Sequence, residues 1–193
     1  MIYRFAKCLF WLYFNIFNRL KIIGADNIIQ SGSLIVYANH FSGADVFLLP
    51  LCFKRQIKFM AKKSLFETPV VKYFVKAYGA FPVNRDSSDI AAIKTALKIL
   101  RNEELLGIFP EGRRVRDIKD SNPKGGFAML AHKTSTPLQP VRIKYKRKLM
   151  IFNSIVIIIG KVINPNDIKI DDTSSDGYAK ASRKLMATVY GLG

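Results

Sequence analysis

The 193-residue chain reads as an α/β protein: a mostly parallel central sheet flanked by helices, with an N-terminal amphipathic, membrane-contacting helix. Three observations predict this. Apolar runs of strand length alternate with segments of helical period, the pattern of successive β–α–β units. No internal repeat or linker interrupts the chain, and its length suits one domain. Seven aromatic residues crowd the first 17 positions, more than a core needs there.

The elements follow in order. On a helix over residues 4–20, Arg4, Lys7, Asn15 and Asn18 share one narrow arc. Phe5, Leu9, Leu12, Ile16 and Leu20 line the opposite side, as an interfacial helix requires. The alternative is an ordinary amphipathic helix packed on the domain. Residues 1–23 are accordingly assigned to a membrane-associating segment and 24–193 to a single α/β domain. Strands are predicted at Leu34–Ala38, Ile57–Ala61, Gly79–Val83, Leu105–Phe109, Gln139–Tyr145 and Ile151–Ile158. Helices are predicted at Ala44–Phe53, Thr68–Tyr78, Ser87–Arg101, Gly126–Lys133 and Tyr178–Tyr190. Pro69 sits where a first helical turn tolerates it. Arg113–Lys124 and Asn164–Asp176 read as polar loops.

Composition narrows the partners. The chain has 31 Lys+Arg against 14 Asp+Glu, net +17, and is 49% hydrophobic with mean hydropathy +0.10. Disorder is excluded by that apolar content. The basic excess attracts polyanions: nucleic acid, an anionic membrane surface, or phosphorylated substrates. Cys8 and Cys52 form no metal or redox spacing and read as reduced thiols. The run Cys8–Phe14 is far shorter than the roughly 20 apolar residues of a spanning helix, and no cleavage site follows it.

The sharpest chemical feature is Asn39-His40-Phe41-Ser42-Gly43-Ala44-Asp45, which leaves a strand and opens a helix. Active groups of open α/β sheets gather at the carboxyl ends of strands. A carboxylate in the first helical turn can fold back onto the imidazole, fix its tautomer and leave the other nitrogen to take a hydroxyl proton. Ser42-Gly43-Ala44-Asp45 also reads as a helix cap. Both roles are compatible if one oxygen of Asp45 serves each. No serine or cysteine nucleophile stands out, which favours direct transfer to an alcohol. Phe109-Pro110-Glu111-Gly112-Arg113-Arg114 ends another strand, with a carboxylate suited to hydroxyls and arginines suited to phosphate. A charged surface turn is the plain alternative. Gly79–Arg85 is a further strand ending in arginine, and Ala61-Lys62-Lys63-Ser64-Leu65-Phe66 precedes it. His132 reads as a surface or C-terminal-turn histidine, and Lys144–Lys148 as a basic cluster.

In this order, with Pro137-Leu138-Gln139-Pro140-Val141 after them, these stretches resemble the glycerolipid acyltransferases of the lysophosphatidate type. The similarity spans roughly residues 34–145. It implies an enzyme with His40 as general base and Asp45 as its partner. It implies Glu111 and Gly112 at the glycerol moiety, and Lys62, Arg85 and Arg114 at the acceptor's phosphate. The implied reaction carries an acyl group from a thioester, acyl-CoA or acyl-acyl carrier protein, to the sn-2 hydroxyl of 1-acyl-glycerol-3-phosphate. No metal or other cofactor is expected. Expected partners are the lysophospholipid, the acyl thioester, an anionic membrane surface and an acyl carrier protein, and not nucleic acid. The expected location is the cytoplasmic face of the cell membrane, peripheral or monotopic. Arg113 departs from the family's usual threonine, which leaves the acceptor's identity open.

Overall fold

The computed structural model describes residues 2–84, 89–147, 151–168, 170 and 172–193. Its seven strands are β1 (Arg19–Ile23), β2 (Leu34–Ala38), β3 (Ile57–Lys62), β4 (Ala80–Val83), β5 (Leu105–Ile108), β6 (Leu138–Tyr145) and β7 (Ser154–Ile159). They form one sheet in the order β1-β7-β6-β2-β5-β3-β4. Every pairing is parallel except β6 with β7. The helices are α1 (Ile2–Phe17), α2 (Asp45–Cys52), α3 (Pro69–Ala77), α4 (Ile90–Arg101), α5 (Gly126–Thr134) and α6 (Ser175–Gly191).

Strand alternation divides the core into two layers. Ile35 and Tyr37 of β2 join Leu106, Ile108 and Leu138 under α4, α5 and α6. Leu34, Val36 and Ala38 face the other way, with Ile57, Phe59, Ile155 and Ile157, under α1 and α2. β2, in the middle of the sheet, is buried along its whole length, as its unbroken apolar run requires. Gly107 lets the layer close: a Cβ there would come within 2.4 Å of the Phe59 ring.

The last helix starts at Ser175 rather than Tyr178, capped by Ser174, so the loop before it is shorter than expected, and two further expectations need correction. The first helix ends at Phe17 rather than residue 20, and Leu20 and Lys21 belong to strand β1. Tertiary pairing stops it. Phe152 N–H donates to Phe17 C=O at 2.7 Å, and Arg19 N–H to Asn153 C=O at 2.8 Å, which passes the chain onto β7. The last strand starts at Ser154, not Ile151. The Asn153 side chain closes the turn ahead of it, accepting from Arg147 N–H and donating to Arg147 C=O.

Helix α1 packs on the domain through Phe14, with Phe10 and Tyr13 beside it. Phe5, Leu9, Leu12 and Ile16 point outward, while Lys7 reaches the Phe53 carbonyl and Phe14 is buried. Among the described residues, no helix is long and apolar enough to cross a membrane.

Candidate active site

The five parallel strands β6, β2, β5, β3 and β4 end on one edge of the sheet, and His40, Asp45, Lys62, Glu111, Gly112 and Arg114 lie on that edge. His40 follows β2, Glu111 and Gly112 follow β5, and Lys62 closes β3. Asn39 fastens the exit from β2 to β6. Its side chain donates to Ile143 C=O and accepts from Ile143 N–H, at 3.0 and 2.8 Å. The side chain thereby replaces a rung of the β ladder just where the strand leaves it.

His40 Nδ1 lies 2.9 Å from Asp45 Oδ2. That oxygen also accepts from Phe41 N–H at 2.7 Å and Ser42 N–H at 2.8 Å. A carboxylate oxygen serving those donors can only accept, so the imidazole proton sits on Nδ1 and Nε2 is the basic nitrogen. Asp45 is fully buried. Its other oxygen, Oδ1, accepts from the Tyr145 hydroxyl at 2.5 Å. Burial, then the adjacent Asp45 charge, pushes the Tyr145 phenol well above its ordinary value, so it remains a donor. The expected sharing, one oxygen for the cap and one for His40, is corrected. Oδ2 alone holds His40 and the loop amides, and α2 has no side-chain cap at Ala44. The imidazole stacks on Phe109 at 4.3 Å between centroids, and Phe109 stacks in turn on Phe59 at 6.0 Å.

Glu111 is buried and turned into the protein. Its Oε2 accepts from His40 N–H at 2.9 Å, and its Oε1 from Ser121 Oγ at 2.8 Å and from the Tyr190 hydroxyl of α6. The Tyr190 phenol is raised by burial and by its bond to Glu111. Gly112 turns the chain at φ +64°, a left-handed conformation that glycine takes without strain. The loop read as merely polar is tied down: Val115 is buried, its N–H donates to His40 C=O at 2.7 Å, and Arg113 donates to Asp120 C=O. Lys62 and Arg114 are exposed, and Arg85 lies outside the described residues. His132 sits in the last turn of α5 against the Tyr178 hydroxyl, as expected of a C-terminal-turn histidine. Among the described residues, no cluster of three or more His, Cys, Asp or Glu is arranged to hold a metal.

A cavity of about 530 Å³ runs from His40 between the sheet and helices α4 and α5. Its walls are mostly apolar: Met60, Val83, Ile93, Ile108, Phe109, Phe127 and Leu130, with Asn84, Asp89 and Lys124 as polar members. Neither the cavity nor Tyr145, Ser121 and Tyr190 was anticipated. The sequence places Tyr145 at the end of a strand and in the basic cluster, with no role in the site. The available signal was its place at the end of β6, the neighbour of β2.

A histidine–carboxylate pair beside an apolar cavity, on the carboxyl edge of a parallel sheet, suits transfer of an acyl group to a hydroxyl. The acyltransferase family model matches residues 19–144, and the chain belongs to that family. It is similar to the 1-acyl-sn-glycerol-3-phosphate acyltransferase of Bacillus subtilis, 30% identical over 139 residues, 72% of this chain and 69% of that one. The enzyme of that name from Borreliella burgdorferi is 32% identical over 142 residues, 70% of this chain and 57% of that one. In structure the chain resembles the crystal structure of the 1-acyl-sn-glycerophosphate (LPA) acyltransferase PlsC from Thermotoga maritima. The TM-score is 0.67 at 25% identity, covering 98% of this chain and 77% of that chain.

Proposed function

We propose that the protein moves a fatty acyl group from a thioester to the sn-2 hydroxyl of 1-acyl-glycerol-3-phosphate, giving phosphatidic acid. The observation that carries this reading is the His40–Asp45 pair, whose His40 stands in the wall of the apolar cavity. The relatives' activity supports the choice of acceptor.

The acyl chain lies in the cavity and its thioester carbonyl stands at His40. His40 Nε2 takes the proton of the acceptor hydroxyl as that oxygen bonds to the carbonyl carbon. The tetrahedral intermediate then collapses. The carbon–sulfur bond breaks and the leaving thiolate takes the proton from the imidazolium, so one ester and one thiol result. Asp45, held by four donors, keeps the ring oriented and offsets the imidazolium charge. Lys62, Arg114 and Arg85 receive the acceptor's phosphate. With both oxygens of Glu111 engaged by protein donors, its part in holding the glycerol is indirect, through the His40 backbone and Gly112. The donor is acyl-CoA or acyl-acyl carrier protein, and the basic surface suits either. The outward apolar line of α1 rests on an anionic membrane, with the enzyme at its cytoplasmic face.

Purified protein, labelled acyl thioester and lysophosphatidic acid in vesicles test the reading. His40→Ala should lower turnover at least a thousandfold. Undiminished product would remove His40 as the base. No product with any lysophospholipid, with tight salt-sensitive binding to DNA or RNA, would replace the reading with that of a basic binding protein.

A further inference from the structure

Helix α3 is built the wrong way round for a soluble domain. A surface helix normally buries its apolar stripe and shows its charges. In α3 no residue is buried, and Val70, Tyr73 and Phe74, at i, i+3 and i+4, are 67%, 57% and 60% exposed. Leu65, in the turn ahead of it, is exposed as well. Lys72 and Lys76, four residues apart, fall on a different side from that apolar stripe. Lys62 and Lys63 stand just before the helix, and Glu67 is the sole acidic residue between Ile57 and Asn84.

We infer that α3 is a second bilayer-inserting element, distinct from α1, which seats Val70, Tyr73 and Phe74 in the acyl boundary of an anionic membrane. Apolar and aromatic residues on one side with lysines on another are the features that hold a helix in that layer. The two helices are joined through Tyr78. Tyr78, directly after α3, packs its ring against Tyr3 and Phe10 of α1, at 5.4 and 5.8 Å between centroids. A second copy of the chain suits the face poorly, because two surfaces flanked by lysines, on chains of net +17, repel. The placement also has a use. α3 departs from the carboxyl edge of β3, the edge that carries His40, so an inserted α3 sets the headgroup layer beside the site.

The inference rests on the lipid-surface part of the reading above and is separable from it. Trp11 of α1 is the only tryptophan, so its emission reports α1 alone. A Trp11→Phe/Tyr73→Trp variant reports α3. Both are mixed with phosphatidylglycerol vesicles carrying brominated acyl chains. Quenching of both tryptophans is expected. Flotation of a Val70→Asp/Phe74→Asp variant should fall at least tenfold, with its thermal melt unchanged. Quenching at Trp11 without quenching in the Tyr73→Trp variant overturns the inference and leaves α1's role intact. Absence of quenching at both positions overturns the lipid-surface reading as well. Unchanged flotation of the aspartate variant, with altered self-association or lost binding of an acyl carrier protein, overturns it in favour of those partners. If that variant fails to fold, the quenching result decides alone.

Discussion

Four hydrogen bonds converge on the Asp45 carboxylate, three on Oδ2 and one on Oδ1. Among the described residues Oδ1 has one donor, which makes Tyr145 a positioning residue for the proposed catalytic pair. Tyr145→Phe keeps the ring that stacks on Phe41 at 5.2 Å but leaves a buried oxygen without a partner. Such an orphan costs about 1–3 kcal/mol. If about half of that falls on the transition state, turnover drops about two- to tenfold. Steady-state kinetics should show the fall in kcat with KM within about twofold; an unchanged kcat would show that the two loop amides suffice. His40, Asp45 and Glu111 were legible because their residue types and local spacing carry chemistry. Tyr145 and Tyr190 were not, because they reach Asp45 and Glu111 from distant strands and helices that only the folded sheet brings near. Glu111 shows the limit from the other side: its position was read, but not that both its oxygens would be spent on holding the loop.

Between β4 and α4, one side chain joins two elements. Asp89 accepts from Asn84 N–H at 2.7 Å and from Ala92 N–H at 2.9 Å, so it caps α4 and ties it to the end of β4. Those amides, Asn84 foremost, hold its carboxyl below the usual carboxylate range. A depressed value means that the stabilisation is present above the unfolded value, about 3.9. It is lost as pH falls through the folded one. Asp89→Ala should therefore melt below the parent at pH 7, and the gap should close as the pH is lowered past that range. A gap of constant size in thermal melts from pH 7 to pH 3 would contradict the cap. The other elements were readable nearly to their ends, since their apolar periods are strong. β1 was missed because Arg19–Ile23 is a short, exposed edge strand whose helix-compatible sequence becomes a strand only by pairing with β7.

Across the molecule, the sheet divides the labour. Its α1 side offers Phe5, Leu9, Leu12 and Ile16 to solvent, and its α4 and α5 side encloses the cavity. Alternation of strands and helices announced this architecture, whereas a cavity is a property of packing that no linear pattern encodes. Ala92 is buried in the cavity wall. Ala92→Leu should move the preference toward shorter acyl donors, read by competition between thioesters of different length; an unaltered preference would place the chain elsewhere. The bond from Tyr190 to Glu111 has a last consequence, which concerns the order in which the protein is made. Synthesis runs from His40 toward α6, so a growing chain possesses His40 and Glu111 long before it possesses Tyr190. Until α6 leaves the ribosome and folds down, Glu111 lacks one of its three donors, and the backbone of His40 hangs from an incompletely anchored carboxylate. The site is thus completed only once α6 has been made, well after helix α1 and β2.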